Sequence, residues 1–274
     1  MANKSPLLNV IIQSLNKVTR KLLRDFGEIE NLQLSPNSIN EFVTKTEFKI
    51  NSSLIDDLNK ARPDWKFKSD SAKNKDDTYY WIIDTINGRT NFIHGLPNFA
   101  ISIAVEYNNE IISTVINDPL RDEIYFAEKG KGAFLNDRRI RVSKRNKLST
   151  CVFATYNGLN NKKNDQTLKE LISSNSLITR EFGSSAISFA WLASGKIDCF
   201  LSNSLKNHEV ACGELLIKES GGYISNFKSA NAYKAPEGEL IAANPFVHRE
   251  VLKKIHSINE NFKDLPLKNI KSYK

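Results

Sequence analysis

Residues 81 to 92 read Trp-Ile-Ile-Asp-Thr-Ile-Asn-Gly-Arg-Thr-Asn-Phe. The aromatic and β-branched run over 79–83 predicts a strand, and Gly88 marks the turn that ends it. Asp84 therefore sits near the carboxyl end of a strand, beside the backbone N–H groups of a turn. Carboxylates and unpaired amides gathered at a strand end are a setting in which phosphates and cations are held.

Upstream, Ser5-Pro6 supplies a cap and a proline for the first helical position. Leu7, Leu8, Ile11, Leu15, Val18, Leu22 and Phe26 then recur at helical spacing, which predicts an amphipathic helix. A second helix is predicted over 46–61, stopped by Arg62-Pro63. The polar, lysine-rich stretch 66–78 reads as a surface loop. Downstream, two β-rich runs, 99–107 and 110–116, flank Asn108-Asn109, residues that tolerate positive φ, so a hairpin is expected. Strands continue over 123–127 and 133–142, with turns at Gly130, Gly132 and Asn136-Asp137. From Leu148 strands and helices alternate: strands over 150–155 and 197–201, helices over 166–173, 186–193 and 210–219. That change places a boundary after Asn146, between an α+β subdomain over 1–146 and an α/β subdomain over 147–274.

With 274 residues, 40% of them hydrophobic and 26% charged, the chain can bury a large core, which excludes disorder as a whole. Its apolar runs are strand-length and broken by polar residues, so no membrane span is expected. The amino-terminal residues lack the apolar region of an export signal. Cys151, Cys199 and Cys212 show neither zinc-like nor redox-like spacing and read as buried core thiols in a reducing cytoplasm. The formal charge of +8 raises nucleic acid as a partner, because clustered cations neutralise phosphates. Two clusters stand out, Arg138-Arg139-Ile140-Arg141 with Lys144-Arg145, and the lysines of the carboxyl tail; both read as solvated faces.

Asp84, Ile86, Gly88, Thr90, Asn91 and Phe92 match the signature Asp-Pro-(Ile/Leu)-Asp-Gly-Thr-Thr-Asn-Phe, so the opening stretch resembles that of the inositol monophosphatase family. The similarity continues through Asn117-Asp118-Pro119-Leu120, Gly130-Lys131-Gly132-Ala133, Arg180 with Gly183-Ser184-Ser185-Ala186, His208-Glu209-Val210-Ala211-Cys212-Gly213 and Glu219-Ser220-Gly221-Gly222. The resemblance implies a layered αβαβα sandwich of α+β and α/β character and a homodimer. It also implies Mg²⁺-dependent hydrolysis of an inositol or sugar phosphate monoester. Carried over by position, it implies metal ligands at Asp70, Asp84, the Ile86 carbonyl, Asn87 and Glu209. Substrate contacts would fall at Ile86, Asn87, Gly88, Arg89, Thr90, Ser184, Ser185 and Glu209. Asp70 lies where the family's Gly-Glu-Glu loop supplies a water-activating carboxylate. Glu47 replaces an outer aspartate, Ser202 a substrate-facing glutamate, and His208 a tryptophan, the last reading as a packing exchange. Ser184 and Ser185 precede a helix and suit capping as well as ligand contact.

Two departures concern the chemistry. Asn87 stands where the family has an aspartate, and Arg89 where it has a threonine that orients the attacking water. Mg²⁺ is a hard ion that prefers anionic oxygen, so a lost carboxylate weakens its site. At about 4 Å and an effective dielectric near 20, one positive charge opposes a divalent ion by roughly 8 kcal/mol. The expectation is that Arg89 occupies the catalytic position as a fixed cation in place of one Mg²⁺, gripping phosphate through bidentate bonds while hydrolysis is weakened or lost, with a surface arginine turned to solvent as the plainer alternative. The rival reading is a noncatalytic phosphate-binding or interaction protein. Transcription or RNA machinery would be its partner, since bacterial members of the family are implicated in such assemblies.

Overall fold

The computed structural model describes residues 4–31, 36–68, 77–156, 170–173, 177–228 and 238–258. Helix α1 (Pro6–Asn31) opens the chain, and Ser5 Oγ accepts the Leu8 N–H at 3.2 Å as the cap anticipated. Its Leu8, Ile11, Leu15, Val18, Leu22 and Phe26 are all buried. Helix α2 spans Pro36–Ala61, starting well before the expected residue 46. Pro36 suits the first helical position, and Ile39, Phe42 and Val43 extend the apolar face that Ile50, Leu54 and Leu58 continue.

Seven strands form the first sheet in sequence order: β1 (Lys66–Phe67), β2 (Tyr79–Asn87), β3 (Ala100–Tyr107), β4 (Glu110–Asp118), β5 (Glu123–Glu128), β6 (Gly132–Leu135) and β7 (Arg138–Ile140). The short β3–β4 turn forms where Asn108 and Asn109 both take positive φ, 48° and 62°, the geometry a two-residue hairpin needs. The supposed loop 66–78 instead begins with β1, which pairs parallel to β2; residues 69–76 lie outside the description.

The second sheet runs β11-β12-β10-β8-β9, with β8 (Val152–Tyr156), β9 (Ile178–Glu181) and β10 (Cys199–Leu205) parallel. β11 (Tyr223–Ser225) and β12 (Gly238–Ala243) complete it in antiparallel pairing. A short helix α3 (Arg89–Ile93) follows β2, and α4 (Ser185–Ala193), α5 (Asn207–Glu219) and α6 (Pro245–Ile258) belong to the second half. The sequence reading had not anticipated β9, β11, β12 or α6. Of the predicted helix 166–173, only 170–173 is described, and it is helical.

Strand alternation sorts these elements into five layers. Ile101, Ile103 and Val105 of β3 point into one core with α1 and α2, whereas Ala104 meets Ala211 and Cys212 of α5. Phe200 of β10 shares a core with α4 and α5, while its neighbours Cys199 and Leu201 pack with Val247, Val251 and Ile255 of α6. Helices α4 and α5 thus lie between the sheets. Their close approach requires Gly213, where an added Cβ would stand 2.2 Å from the Phe189 ring. Residues 141–147 carry the chain from one sheet to the other. The three cysteines are free and buried, as expected. Among the described residues, no helix is long and apolar enough to cross a membrane.

Candidate active site

The site begins with a defect in β2. Asp84 pairs with Ser102 of β3 and Asn87 with Ala100, so β2 carries one residue more than β3 over this interval, a β-bulge. In a regular strand, residues three apart face opposite sides. Here Thr85 reaches back towards Asn51 of α2 and Ile86 packs in the core beneath α1 and α2, two successive residues on the same side. The bulge therefore returns Asn87 to the side of Asp84, facing α4. Gly88 then turns the chain with φ +94°, where a Cβ would come within 2.7 Å of the Asn98 carbonyl oxygen.

Asn87 is buried and uses its whole amide. Its Nδ2 donates to Asp84 Oδ2 and to Ser185 Oγ, both at 2.8 Å. Its Oδ1 accepts from Ser184 Oγ at 2.6 Å and from the Ala186 N–H at 2.9 Å. Ser184 is the N-cap of α4, accepting the Ile187 N–H at 3.3 Å. Ser185 Oγ passes its own hydrogen to Glu209 Oε1 at 3.0 Å, and Glu209 Oε2 accepts the Lys206 N–H at the start of α5, also at 3.0 Å. Asp84, Asn87, Ser185 and Glu209 are thus joined end to end. The starts of both helices lie beside the carboxyl ends of the parallel strands, the usual crevice for ligands in α/β sheets.

Arg89 departs from expectation. Its guanidinium turns to α2, donating to Thr44 Oγ1 at 2.9 Å, to the Asn40 side chain at 3.3 Å and main-chain carbonyl at 3.5 Å, and to Glu47 Oε2 at 3.3 Å. Most of its five donors are committed there. The picture of Arg89 as an open cation aimed at phosphate is corrected accordingly: the carboxylate and neutral oxygens of α2 hold it. Both partners of the ion pair are about a third exposed, so the pair is a modest stabiliser.

Burial pushes the Asp84 carboxyl from its ordinary 3.8 up to about 6; the Asn87 hydrogen bond and His208 oppose this, while Glu209 and Glu47 add to it. A folded pKa above the unfolded one means the native state holds the extra proton between about pH 4 and 6. Asp84 therefore costs stability as pH rises through that window. Replacing Asn87 by Leu removes a bond that favours the carboxylate. The Asp84 midpoint, followed by carboxyl carbon NMR, should then move above its wild-type value, and an unmoved or lowered midpoint would refute the role given to the amide.

The remaining predicted residues separate clearly. Asp70 lies outside the described residues. Ser184 and Ser185 act as internal partners of Asn87 and Glu209, while Thr90 is exposed. Ser202 is buried and donates to the Tyr156 carbonyl at 2.8 Å. His208, read as a packing exchange, lies near enough to Asp84 to favour its ionised form. Tyr156, at the carboxyl end of β8, was missed. Burial and then Glu209, Asp84 and Glu181 push its phenol up to about 12, placing a protonated donor among these acids. Its terminal position on a parallel strand is the signal that could have found it.

The described part of the donor set fits a pair of cations poorly. Among the described residues, no three His, Cys, Asp or Glu side chains converge as metal ligands. At Asn87, expected as a metal ligand, the Ala186 N–H holds Oδ1 towards α4 and leaves N–H facing Asp84. Both Glu209 oxygens already accept hydrogen bonds. Among the described residues, Asp84 accepts a side-chain hydrogen bond through Oδ2 and none through Oδ1.

Comparison with known proteins adds the context. The model of the inositol monophosphatase family matches residues 3–260. The chain is 36% identical over 258 residues to an inositol-1-monophosphatase of Mesorhizobium japonicum, covering 92% of this chain and 97% of that protein. It is 30% identical over 268 residues to Nus factor SuhB of Pasteurella multocida, covering 94% and 99%. The crystal structure of extragenic suppressor protein suhB from Bartonella henselae superposes with a TM-score of 0.78 at 31% identity, covering 92% of this chain and 99% of that one.

Proposed function

The chain belongs to the inositol monophosphatase family, and from that premise we propose that it binds an inositol or sugar phosphate monoester in the Asp84 cleft and hydrolyses it weakly. The observation that carries this reading is the Arg89–Glu47 pair. A guanidinium has no acceptor for a water's proton and cannot deprotonate, so the position where the family keeps a threonine cannot orient a nucleophile as that hydroxyl does. Mg²⁺, when bound beside Asp84 and the Ile86 carbonyl, would supply charge neutralisation for the phosphate. Asp84 would anchor the charge balance, and the Tyr156 phenol would donate to a substrate oxygen. The resemblance carries a homodimer with it.

The test is phosphate release from inositol 1-phosphate and sugar phosphates in Mg²⁺, paired with calorimetric titration of the same ligands. Measurable binding with turnover far below roughly 1 s⁻¹ is expected, and turnover in the ordinary enzyme range of about 1–10³ s⁻¹ would defeat it. A second reading, an interaction protein for transcription or RNA machinery, is favoured by the relatives named Nus factor. Exposed Arg138, Arg139 and Arg141 at the β7 edge suit it, and absence of ligand binding in the calorimeter would turn the balance towards it.

A further inference from the structure

We infer that the Asn87 amide and the Ser185 hydroxyl form a neutral crosspiece, joining Asp84 to Glu209 where a second cation would otherwise have to stand, so that this part of the cleft is complete without metal. The inference rests on the same site as the proposed function but not on its rate. Its first support is directional. The Ala186 N–H can only donate, and it meets Asn87 Oδ1 at 2.9 Å, with Ser184 Oγ on the same oxygen at 2.6 Å. Turning the amide over would set N–H against N–H at α4 and carbonyl oxygen against the Asp84 carboxylate. Only the observed orientation satisfies the buried group.

The second support is connectivity. Both hydrogens of Nδ2 are used, one on Asp84 Oδ2 and one on Ser185 Oγ, each at 2.8 Å. The serine hydrogen goes on to Glu209 Oε1 at 3.0 Å. Each carboxylate thereby receives a donor, and a hydrogen-bonded path replaces the electrostatic bridge that an ion would make. A cation entering between them would meet N–H groups of the wrong polarity, and it could coordinate Glu209 only after displacing the Ser185 or Lys206 donor. Ser185 is fully buried, so displacing its hydroxyl would leave a donor without an acceptor in the interior, which opposes that exchange. An aspartate at position 87 reverses the situation. It could keep the Ser184 and Ala186 bonds through one oxygen but would turn the other, charged, towards Asp84. Like charges at that separation are relieved by a shared proton at low pH and by a bound cation once both carboxyls ionise.

The experiment is to titrate Mn²⁺ into the full chain and into Asn87→Asp, following free Mn²⁺ by electron paramagnetic resonance, with circular dichroism to establish folding. Wild type should take up no more than a single equivalent in the cleft, and the variant should bind one equivalent more. The variant's Tm should also rise by roughly 5 °C or more on going from chelator to saturating Mn²⁺, beyond any rise in wild type. Two or more equivalents in wild type would overturn the inference, whether or not the variant folds, and so would equal counts in the two proteins. Rapid phosphate release by a wild type holding one Mn²⁺ would refute the proposed weak activity while leaving the crosspiece standing.

Discussion

The double exchange Asn87→Asp with Arg89→Thr should raise Mg²⁺-dependent phosphate release from inositol 1-phosphate by at least about 10²-fold over wild type, the scale on which a preorganised charge or nucleophile-orienting group acts. The two positions fail for different reasons, which is why both are changed. At 87 an amide presents N–H to Asp84, and an aspartate would present oxygen while still accepting from Ser184 and Ala186. At 89 the guanidinium occupies Glu47, and a threonine would free that carboxylate and place a hydroxyl at the start of α3. Either single exchange should recover less than the pair, since one leaves Glu47 engaged and the other leaves Asp84 facing donors. Steady-state phosphate release with a fixed Mg²⁺ excess measures the effect. A double variant that folds, binds metal and remains as slow as wild type would show that these residues do not limit the chemistry.

Asp198→Ala should be strongly destabilising although it lies away from the Asp84 site, lowering stability by about 2–4 kcal/mol and Tm by roughly 5–15 °C. Asp198 is fully buried between the sheets' connecting stretch and β8. It accepts from Ser143 Oγ, from Arg145 Nε at 2.7 Å and from the Val152 N–H at 2.8 Å. Asn244 reinforces the same stretch by donating to the Arg145 carbonyl at 3.0 Å. Removing the carboxylate strands two donors in the interior. The Arg145 side chain is about two-fifths exposed and can return to water, so the cost is smaller than for a wholly buried ion pair. Asp198→Asn, which keeps an acceptor for Val152, should lose less. Thermal unfolding of both variants decides the point, and a shift within about 2 °C for alanine would mean the cluster is dispensable.

Much of the architecture is legible in the sequence because its signals are local. Ser5-Pro6 and the following apolar spacing announce α1, and Asn108-Asn109 announces the β3–β4 hairpin. Asp84, Asn87 and Glu209 were picked out by motif, and the fold brings them together. What escaped depends on distant partners. The orientation of the Asn87 amide is set by the Ala186 N–H, 99 residues along the chain. The direction of Arg89 is set by Asn40 and Thr44, which the early start of α2 places on the helix; reading that helix from residue 46 hid them both. The parity of β2 was equally hidden, because an extra residue becomes visible only against the strand beside it.

That extra residue makes the chemistry of the cleft depend on a count. Remove one peptide unit from the short interval after Asp84, and strand geometry sends the carboxylate and the amide to opposite layers, one towards α4 and the other under the amino-terminal helices. A length change of this kind alters no functional group, yet it would break the Asp84–Asn87–Ser185–Glu209 chain at its first link.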